Sequence, residues 1–126
     1  MTPEHSLQIL LATLSVERHD GIWSFRTGPE RPTSEEAAMV FREQEGWTSI
    51  EPAQLVDGGD NRWVWLELRV YSDLNAVGFL AAVAQALTEA GVPCNAVAAF
   101  HHDHIFVPEH MAARAIAAIE HLKRPT

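Results

Sequence analysis

The sequence predicts an α+β fold of the ferredoxin-like type, in which an antiparallel sheet carries helices on one face as a two-layer sandwich. Three stretches in the second half of the 126-residue chain support this prediction. Residues 62–71 alternate between an apolar face and a mixed face as a strand does, residues 75–90 carry a helical apolar stripe, and residues 93–107 form two apolar runs around a polar break. With a helix predicted over residues 109–122, the order is strand, helix, strand, strand, helix.

Composition and charge narrow the class of function. The chain has 9 Lys and Arg residues against 17 Asp and Glu residues, which gives a formal net charge of −8. This balance argues against nucleic acid as a partner, because phosphate contacts require a basic patch. No apolar run approaches the roughly 18 residues of a membrane span, and residues 7–14 lack the basic lead of a signal peptide. We therefore expect a cytoplasmic protein without a membrane or nucleic acid partner.

The first half of the chain predicts a smaller set of elements. Residues 6–14 are apolar and are interpreted as a buried strand, although so short a run also allows a helix. The following polar stretch ends in Asp-Gly, which predicts a turn with His19 in a solvated loop. Residues 22–26 are then predicted to form a second strand.

A helix is predicted next, over residues 33–45. Thr33 and Glu36 have the spacing of a capping box, and Gly46 is a typical helix stop. Residues 47–51 then predict a short strand.

The strand over residues 62–71 has two different faces. Four side chains form a strictly apolar face: Val64, Leu66, Leu68 and Val70. Four others form a mixed face: Trp63, Trp65, Glu67 and Arg69. The apolar face predicts helix packing, whereas the two tryptophans are free to cover a sheet face, a partner subunit or a ligand.

A polar group interrupts the two apolar runs of the predicted hairpin and is formed by His101, His102, Asp103 and His104. Strand alternation would place His102 with His104 and His101 with Asp103. A metal site needs three or four ligands that converge on one point, and no second cluster with ligand spacing exists in the sequence. We favour a structural turn with candidate polar contacts over a ligand contact, and a ligand contact over a metal site. We predict that the protein binds neither a metal ion nor a cofactor.

The predicted second unit is a β-α-β-β-α-β unit without its last strand, and the strand over residues 6–14 is the candidate to complete it. The turn-rich segment 51–61 divides the chain into a reduced N-terminal unit, residues 1–58, and a C-terminal unit, residues 59–126. A reduced unit leaves an open sheet edge, which we expect a second copy of the chain to cover as a homodimer.

Several motifs resemble one family. The stretch C-N-A-V-A-A-F-H-H-D-H-I-F-V-P and the preceding Y-S-D-L-N-A-V-G-F-L-A-A-V-A-Q-A-L-T-E-A-G-V resemble the C-terminal half of small bacterial ACT-domain proteins. The segments L-L-A-T-L-S, G-I-W-S-F and F-R-E-Q-E-G-W-T resemble their N-terminal half. The resemblance covers nearly the whole chain and implies two ACT-like units with the ferredoxin-like fold.

The resemblance also implies a function. ACT domains typically bind amino acids or other small ligands between two units and regulate enzymes, so the chain is expected to be a stand-alone, amino-acid-binding regulatory protein. The implied ligand-binding residues are Ser72, Asp73, Leu74, Asn75, Ala76, Val77, Gly78 and Asn95. The chain lacks the proline of the D-x-P-G-type motif that many ligand-binding ACT domains carry in this loop. The alternative is a protein-interaction or assembly module with a vestigial pocket.

An enzyme is not predicted. A nucleophile, a base and an orienting group can be assembled from Ser72, Asp73 and a histidine, but no motif supports that combination. The sequence has neither a glycine-rich phosphate loop nor a nucleotide-binding fingerprint.

Overall fold

The fold is described from a computed structural model, which covers residues 6–70 and 76–123. Within these residues the helices are α1 (Leu7–Thr13), α2 (Phe79–Glu89) and α3 (Ala112–His121). The strands are β1 (Ser15–Arg18), β2 (Trp23–Gly28), β3 (Met39–Glu43), β4 (Gly46–Pro52), β5 (Trp63–Arg69), β6 (Asn95–Ala98) and β7 (Asp103–Pro108). Short 3-10 turns lie at Gly59–Asn61 and Glu109–Met111. The α+β class is confirmed.

All described strands join one antiparallel sheet, and β5 is its central member. The order is β3-β4-β2-β5-β7-β6, with β1 also beside β5. One edge of β5 pairs with β7. The other edge is shared, since Ser15–Arg18 pair with its second half and Trp23 pairs with Trp63 at its start. The chain from β1 to β2 therefore runs along a single edge of β5.

The hydrophobic core lies on one side of β5 and β7. Val64, Leu66 and Leu68 of β5 are fully buried there, with Ile105 and Val107 of β7. Buried side chains of the three helices join the same cluster: Leu10, Phe79, Val83, Leu87, Ala112, Ala115 and Ile119. Burial of each large apolar side chain stabilises the fold by about 1.5–3 kcal/mol, so this layer is the main source of stability.

The element order predicted for the second half of the chain is confirmed. The alternating stretch forms β5, and the apolar stripe after it forms α2, which ends before Gly91. The two apolar runs form the antiparallel pair β6 and β7. The last predicted helix begins as a 3-10 turn after Pro108 and continues as α3.

The helix predicted over residues 33–45 is wrong. Met39–Glu43 form the edge strand β3, which pairs with β4 across a tight turn, and Ala38 N–H extends the ladder to the Ile50 carbonyl at 2.7 Å. Gly46 follows the turn at φ +144°, where a Cβ would lie 2.5 Å from the Gly28 carbonyl oxygen. Cross-strand pairing therefore outweighs the helix-start pattern of the sequence, and the glycine closes a hairpin.

The strand predicted over residues 6–14 is also wrong, and the helical alternative is correct. Ser6 caps α1, and its hydroxyl accepts a hydrogen bond from Ile9 N–H at 3.5 Å. Leu10 and Leu14 are fully buried at the i, i+4 spacing of a helix face. The segment beside β5 is instead β1, although most of its sequence predicts a polar turn.

Candidate functional site

The side of β5 and β7 that faces away from the helical core carries polar and aromatic side chains, and we call it the aromatic–histidine face. Its central residues are Trp63, Trp65, Glu67, His104 and Phe106. The register places Trp65 opposite Phe106 and Glu67 opposite His104. Strand alternation explains this separation, because the intervening residues point into the core.

Aromatic side chains from the first half of the chain pack onto this face. The ring of His19 stacks on Trp65 with centroids 3.8 Å apart and planes 2° from parallel. Trp23 meets Trp65 edge to face at 5.0 Å, and Phe25 contacts Phe106 at 5.9 Å. The face is therefore a contact region between the two halves of the chain.

Glu67 is the polar centre of the face and is only 7% exposed. His19 Nε2 donates to its Oε1 at 2.8 Å, and Arg69 Nη1 donates to its Oε2 at 2.5 Å. His102 Nε2 lies 3.9 Å from the same Oε2. Burial alone would raise the pKa of Glu67, but the His19 hydrogen bond and the nearby positive charges outweigh it and hold the pKa below its usual value. The carboxylate is therefore ionised at neutral pH.

His104 is held in one orientation by its neighbour on β5. The indole Nε1–H of Trp65 donates to His104 Nδ1 at 2.9 Å. Because an indole nitrogen can only donate, Nδ1 must be unprotonated, and a neutral His104 carries its proton on Nε2. Burial lowers the pKa of His104, the charge of Glu67 opposes this, and the charges of His19 and His102 lower it further. His104 thus favours the neutral form.

One atom each from His19, Glu67 and His104 lie within 4.8 Å of one another, a spacing that a metal ion could bridge. The hydrogen-bond polarity around His104 is wrong for a metal, however. A ligating histidine normally donates its second ring N–H to an acceptor. At His104 the second nitrogen faces the Trp65 N–H donor, so binding through Nε2 would bring two donors together. The three groups are better suited to sharing protons than to holding a metal.

Of the predicted ligand-binding loop, the structure describes only residues 76–78, at its C-terminal end. Ser72, Asp73, Leu74 and Asn75 lie outside the described residues. Ala76 packs against the core, and the Val77 side chain is 84% exposed. Gly78 is the N-cap residue of α2 at φ +88°, and an added Cβ would meet Leu7 Cδ2 of α1 at 3.6 Å. Ligand binding by this loop stays a prediction.

Asn95, the other implied contact, lies at the exposed start of β6. It pairs with Phe106, so its side chain points to the aromatic–histidine face, whereas α2 packs on the opposite face. A role of Asn95 in ligand binding also stays a prediction.

The four polar residues of the hairpin separate into different environments. The turn is closed by a hydrogen bond from Ala99 N–H to the His102 carbonyl at 3.1 Å, and the exposed His101 touches Phe100. His102 and His104 both lie toward Glu67. Asp103 starts β7, where burial raises its pKa and the charge of His102 partly opposes the rise.

Sequence reasoning missed the organising role of Glu67 and His19. A carboxylate in the middle of an apolar strand is costly unless it is paired, which is a signal that marks Glu67 for a partner. The pairing with His19 joins residues 48 positions apart. His19 was assigned to a solvated loop, and this assignment is wrong because its ring contacts both Glu67 and Trp65.

Comparisons with known proteins place the chain in a family. An ACT-domain model matches residues 62–121, and a second ACT-domain model matches residues 2–57. No curated protein matches the chain. In the described residues, no helix is both long enough and apolar enough to cross a membrane.

The protein is similar to several solved structures, and two of them illustrate the likeness. One is a Vibrio cholerae protein of unknown function, described as a possible transport protein. It is 31% identical, and the match covers 94% of this chain and 96% of that chain with a TM-score of 0.78. The other is an Agrobacterium tumefaciens protein that is 12% identical, with 87% and 89% of the chains covered and a TM-score of 0.68, a likeness of fold alone. With ACT-domain models matching both of its halves, the chain belongs to the ACT-domain proteins and carries two ACT-type regions in tandem.

Proposed function

We propose that the protein is a stand-alone cytoplasmic regulatory protein that binds an amino acid and has no catalytic activity of its own. The observation that carries this proposal is the match of ACT-domain models to residues 2–57 and 62–121. ACT domains are regulatory modules that bind small molecules.

The start of α2 supports the location of the ligand. Gly78 supplies no side chain to cap this 11-residue helix, so its first backbone N–H groups are not capped by that residue. Helix N-termini favour a carboxylate through these N–H groups and the helix dipole. Leu7 of α1 lies against the same glycine, so a larger residue would face both a contact and an unfavourable φ angle. The α-carboxylate of an amino acid would bind here, with Ser72 and Asp73 as polar contacts, whereas Asn95 points to the other face of the sheet.

We also propose that residues 1–58 and 59–126 are the two units and that the C-terminal unit has the ferredoxin-like arrangement, with β1 in the position of its missing strand. The pairing of β1 with β5 supports this assignment. Among the described strands, β6 pairs only with β7, and exposed edges of this kind are usually covered. The proposed cover is a second copy of the chain, as a homodimer.

An assembly module with a vestigial pocket is the second candidate function. The observation that favours it is a pair of exposed aromatic side chains near opposite ends of the sheet. Phe41 on β3 is 60% exposed, and Phe100 in the β6–β7 turn is 76% exposed. A partner that covered either end of the sheet would remove one of these rings from water, which would stabilise the assembly.

A thermal-shift screen with the individual amino acids tests the first proposal. A ligand present at 100 times its Kd should stabilise the protein by about 2.7 kcal/mol, because it binds only the folded state. The Asp73→Ala and Gly78→Val variants should lose this shift, and the exposed His101→Ala variant should retain it. Light scattering on the same samples measures the molar mass and so gives the oligomeric state.

The outcomes separate the two candidates. A dimer that no amino acid stabilises contradicts the ligand proposal and supports the assembly module. A ligand-free monomer that is nevertheless stabilised by an amino acid contradicts the homodimer and retains the ligand site.

A further inference from the structure

The three histidines near Glu67 differ in what a second proton would do to their contacts. His19 donates from Nε2 to the Glu67 carboxylate while its ring stacks on Trp65. An imidazolium can still donate that hydrogen bond, and a cation over an indole ring is attracted to it. The contacts of His19 therefore persist when its ring is protonated.

His102 behaves in the same way. Its Nδ1 lies 3.4 Å from the Val70 carbonyl oxygen, which accepts, and its Nε2 faces the Glu67 carboxylate at 3.9 Å. Both nitrogens face acceptors, so a doubly protonated ring fits the site.

His104 is different because its Nδ1 faces a donor. The Trp65 Nε1–H is 2.9 Å away and cannot accept a hydrogen bond. A proton on Nδ1 would bring two N–H groups together at that distance. His104 and Trp65 can keep their hydrogen bond only while His104 is neutral.

We propose that the Trp65–His104 hydrogen bond is a proton-sensitive contact between β5 and β7, closed while His104 is neutral and opened when His104 takes up a proton. Trp65 transmits the change because its ring also contacts His19 and Trp23, which border the bend between β1 and β2. Opening the hydrogen bond frees the indole to move and loosens the packing of the first half on β5. The packing of the aromatic–histidine face is therefore weakened in acid.

The charged groups around His104 act in opposite directions. The carboxylate of Glu67 on β5 favours a proton on His104, while His19 after β1 and His102 before β7 disfavour it. From β6 the facing residue is Val97, which carries no charge. Glu17 of β1 and Arg69 of β5 act through Glu67, since Arg69 Nη1 contacts both carboxylates. Burial of the ring adds to the preference for the neutral form.

Nuclear magnetic resonance of the full chain during a pH titration tests the proposal. The indole N–H resonance of Trp65, assigned from its absence in Trp65→Phe, should shift with the same midpoint as the ring protons of His104. In His104→Asn the resonance should stay constant over that range, because the amide oxygen accepts the hydrogen bond and does not titrate. The exposed His121→Asn variant is the matched control and should behave as the wild-type protein does.

The Trp65→Phe variant supplies a second measurement. Without the indole donor, His104 should titrate at higher pH than in the wild-type protein, because the neutral ring has lost its hydrogen bond. If that variant does not fold, the His104→Asn titration still decides the question. An indole resonance that is unchanged while His104 titrates, or that shifts equally in His104→Asn, overturns the proposal.

A zinc titration of the same samples distinguishes a metal site. Binding of one zinc ion that His104→Asn and His19→Asn both abolish would also overturn the proposal, because His104 would then carry its proton on Nδ1. If the Trp65 resonance does not change when zinc is added, the result supports a site that responds to protons and not to a metal ion.

Discussion

The two faces of β5 are stabilised in different ways, although their residues alternate along the same seven-residue strand. On the helical side, Val64, Leu66 and Leu68 are fully buried against helix side chains. On the aromatic–histidine side, Trp65 and Glu67 make directional contacts with His104, His19 and Arg69. One face depends on apolar area removed from water, and the other depends on donors and acceptors matched in position.

The difference indicates which face of β5 sets the stability of the fold and which face makes that stability depend on pH. Apolar burial is insensitive to pH and roughly proportional to area. Hydrogen bonds to titrating groups change with protonation and are lost when either partner is removed. We therefore expect substitutions on the helical side to have the largest effect on stability, and those on the aromatic–histidine side to alter its pH dependence.

Leu66→Ala should have the largest effect. Leu66 is fully buried in the core, so its truncation leaves a cavity and should lower the free energy of unfolding by about 2–5 kcal/mol. Urea denaturation monitored by circular dichroism measures this. Leu55→Ala, at a fully exposed side chain, is the matched control and should stay within about 0.5 kcal/mol of the wild-type protein. Equal losses in the two variants would contradict the assignment of the core to the helical side.

Asn61→Ala should come next, because Asn61 joins the two halves of the chain beside Trp63. Its Oδ1 accepts from Phe25 N–H at 2.9 Å and from Trp63 Nε1–H at 3.1 Å, and its Nδ2 donates to the Phe25 carbonyl at 2.9 Å. The side chain thus continues the hydrogen-bond ladder of β2. Removing it leaves partly buried groups without partners and should cost about 1–3 kcal/mol.

The control for this substitution is Gln8→Ala, which removes an exposed amide from α1. Urea midpoints of the two variants give the comparison. If Asn61→Ala lowers the free energy of unfolding by no more than Gln8→Ala does, the polar contacts of the aromatic–histidine side contribute little to stability. The two faces of β5 would then differ in their contributions to stability by more than we propose.

The second half of the fold could be predicted from sequence because its signals are local. The alternation of residues 62–71 requires a strand with one buried face, and Gly91 with Pro93 requires that α2 stop there. In the first half, local signals were misleading. The glutamates around residues 35–45 favour a helix in isolation, but pairing of β3 with β4 decides the conformation.

The candidate site could be predicted only in part. The resemblance to ACT-domain proteins predicted a ligand site in the loop before α2. The alternation of residues 62–71 placed Trp65 and Glu67 on the same face of the strand. The partner of Glu67 could not be inferred, because His19 reaches it only through the pairing of β1 with β5. The tautomer of His104 depends on a cross-strand contact that sequence spacing does not encode.

Glu67→Gln tests the aromatic–histidine side by its pH dependence. The substitution keeps the shape of the side chain but removes the charge that His19 and Arg69 contact, and it should cost about 1–2 kcal/mol at neutral pH. The pKa of Glu67 is lowered in the folded protein, so its stabilising contribution is complete above the unfolded value of 4.5 and is lost as the pH falls through the folded value. The difference between wild-type protein and variant should therefore vanish in acid.

Urea midpoints measured between about pH 7 and about pH 3 give this profile. Glu36→Gln, at an exposed position outside the sheet, is the control and should follow the wild-type curve. A deficit in Glu67→Gln that stays constant into acid would mean that packing, and not charge, explains the cost.

Glu17→Gln should have the smallest effect, although Glu17 contacts the same arginine as Glu67. Arg69 Nη1 lies 2.9 Å from Glu17 Oε2, but the side chain of Glu17 is 54% exposed whereas that of Glu67 is 10% exposed. Glu17 also lies directly opposite Glu67 in the sheet, where two like charges repel. Loss of an exposed ion pair and relief of this repulsion should nearly cancel, which leaves a change within about 0.5 kcal/mol that shrinks in salt. Since the arginine is common to both pairs, a cost equal to that of Glu67→Gln would show that burial is not what distinguishes the two carboxylates.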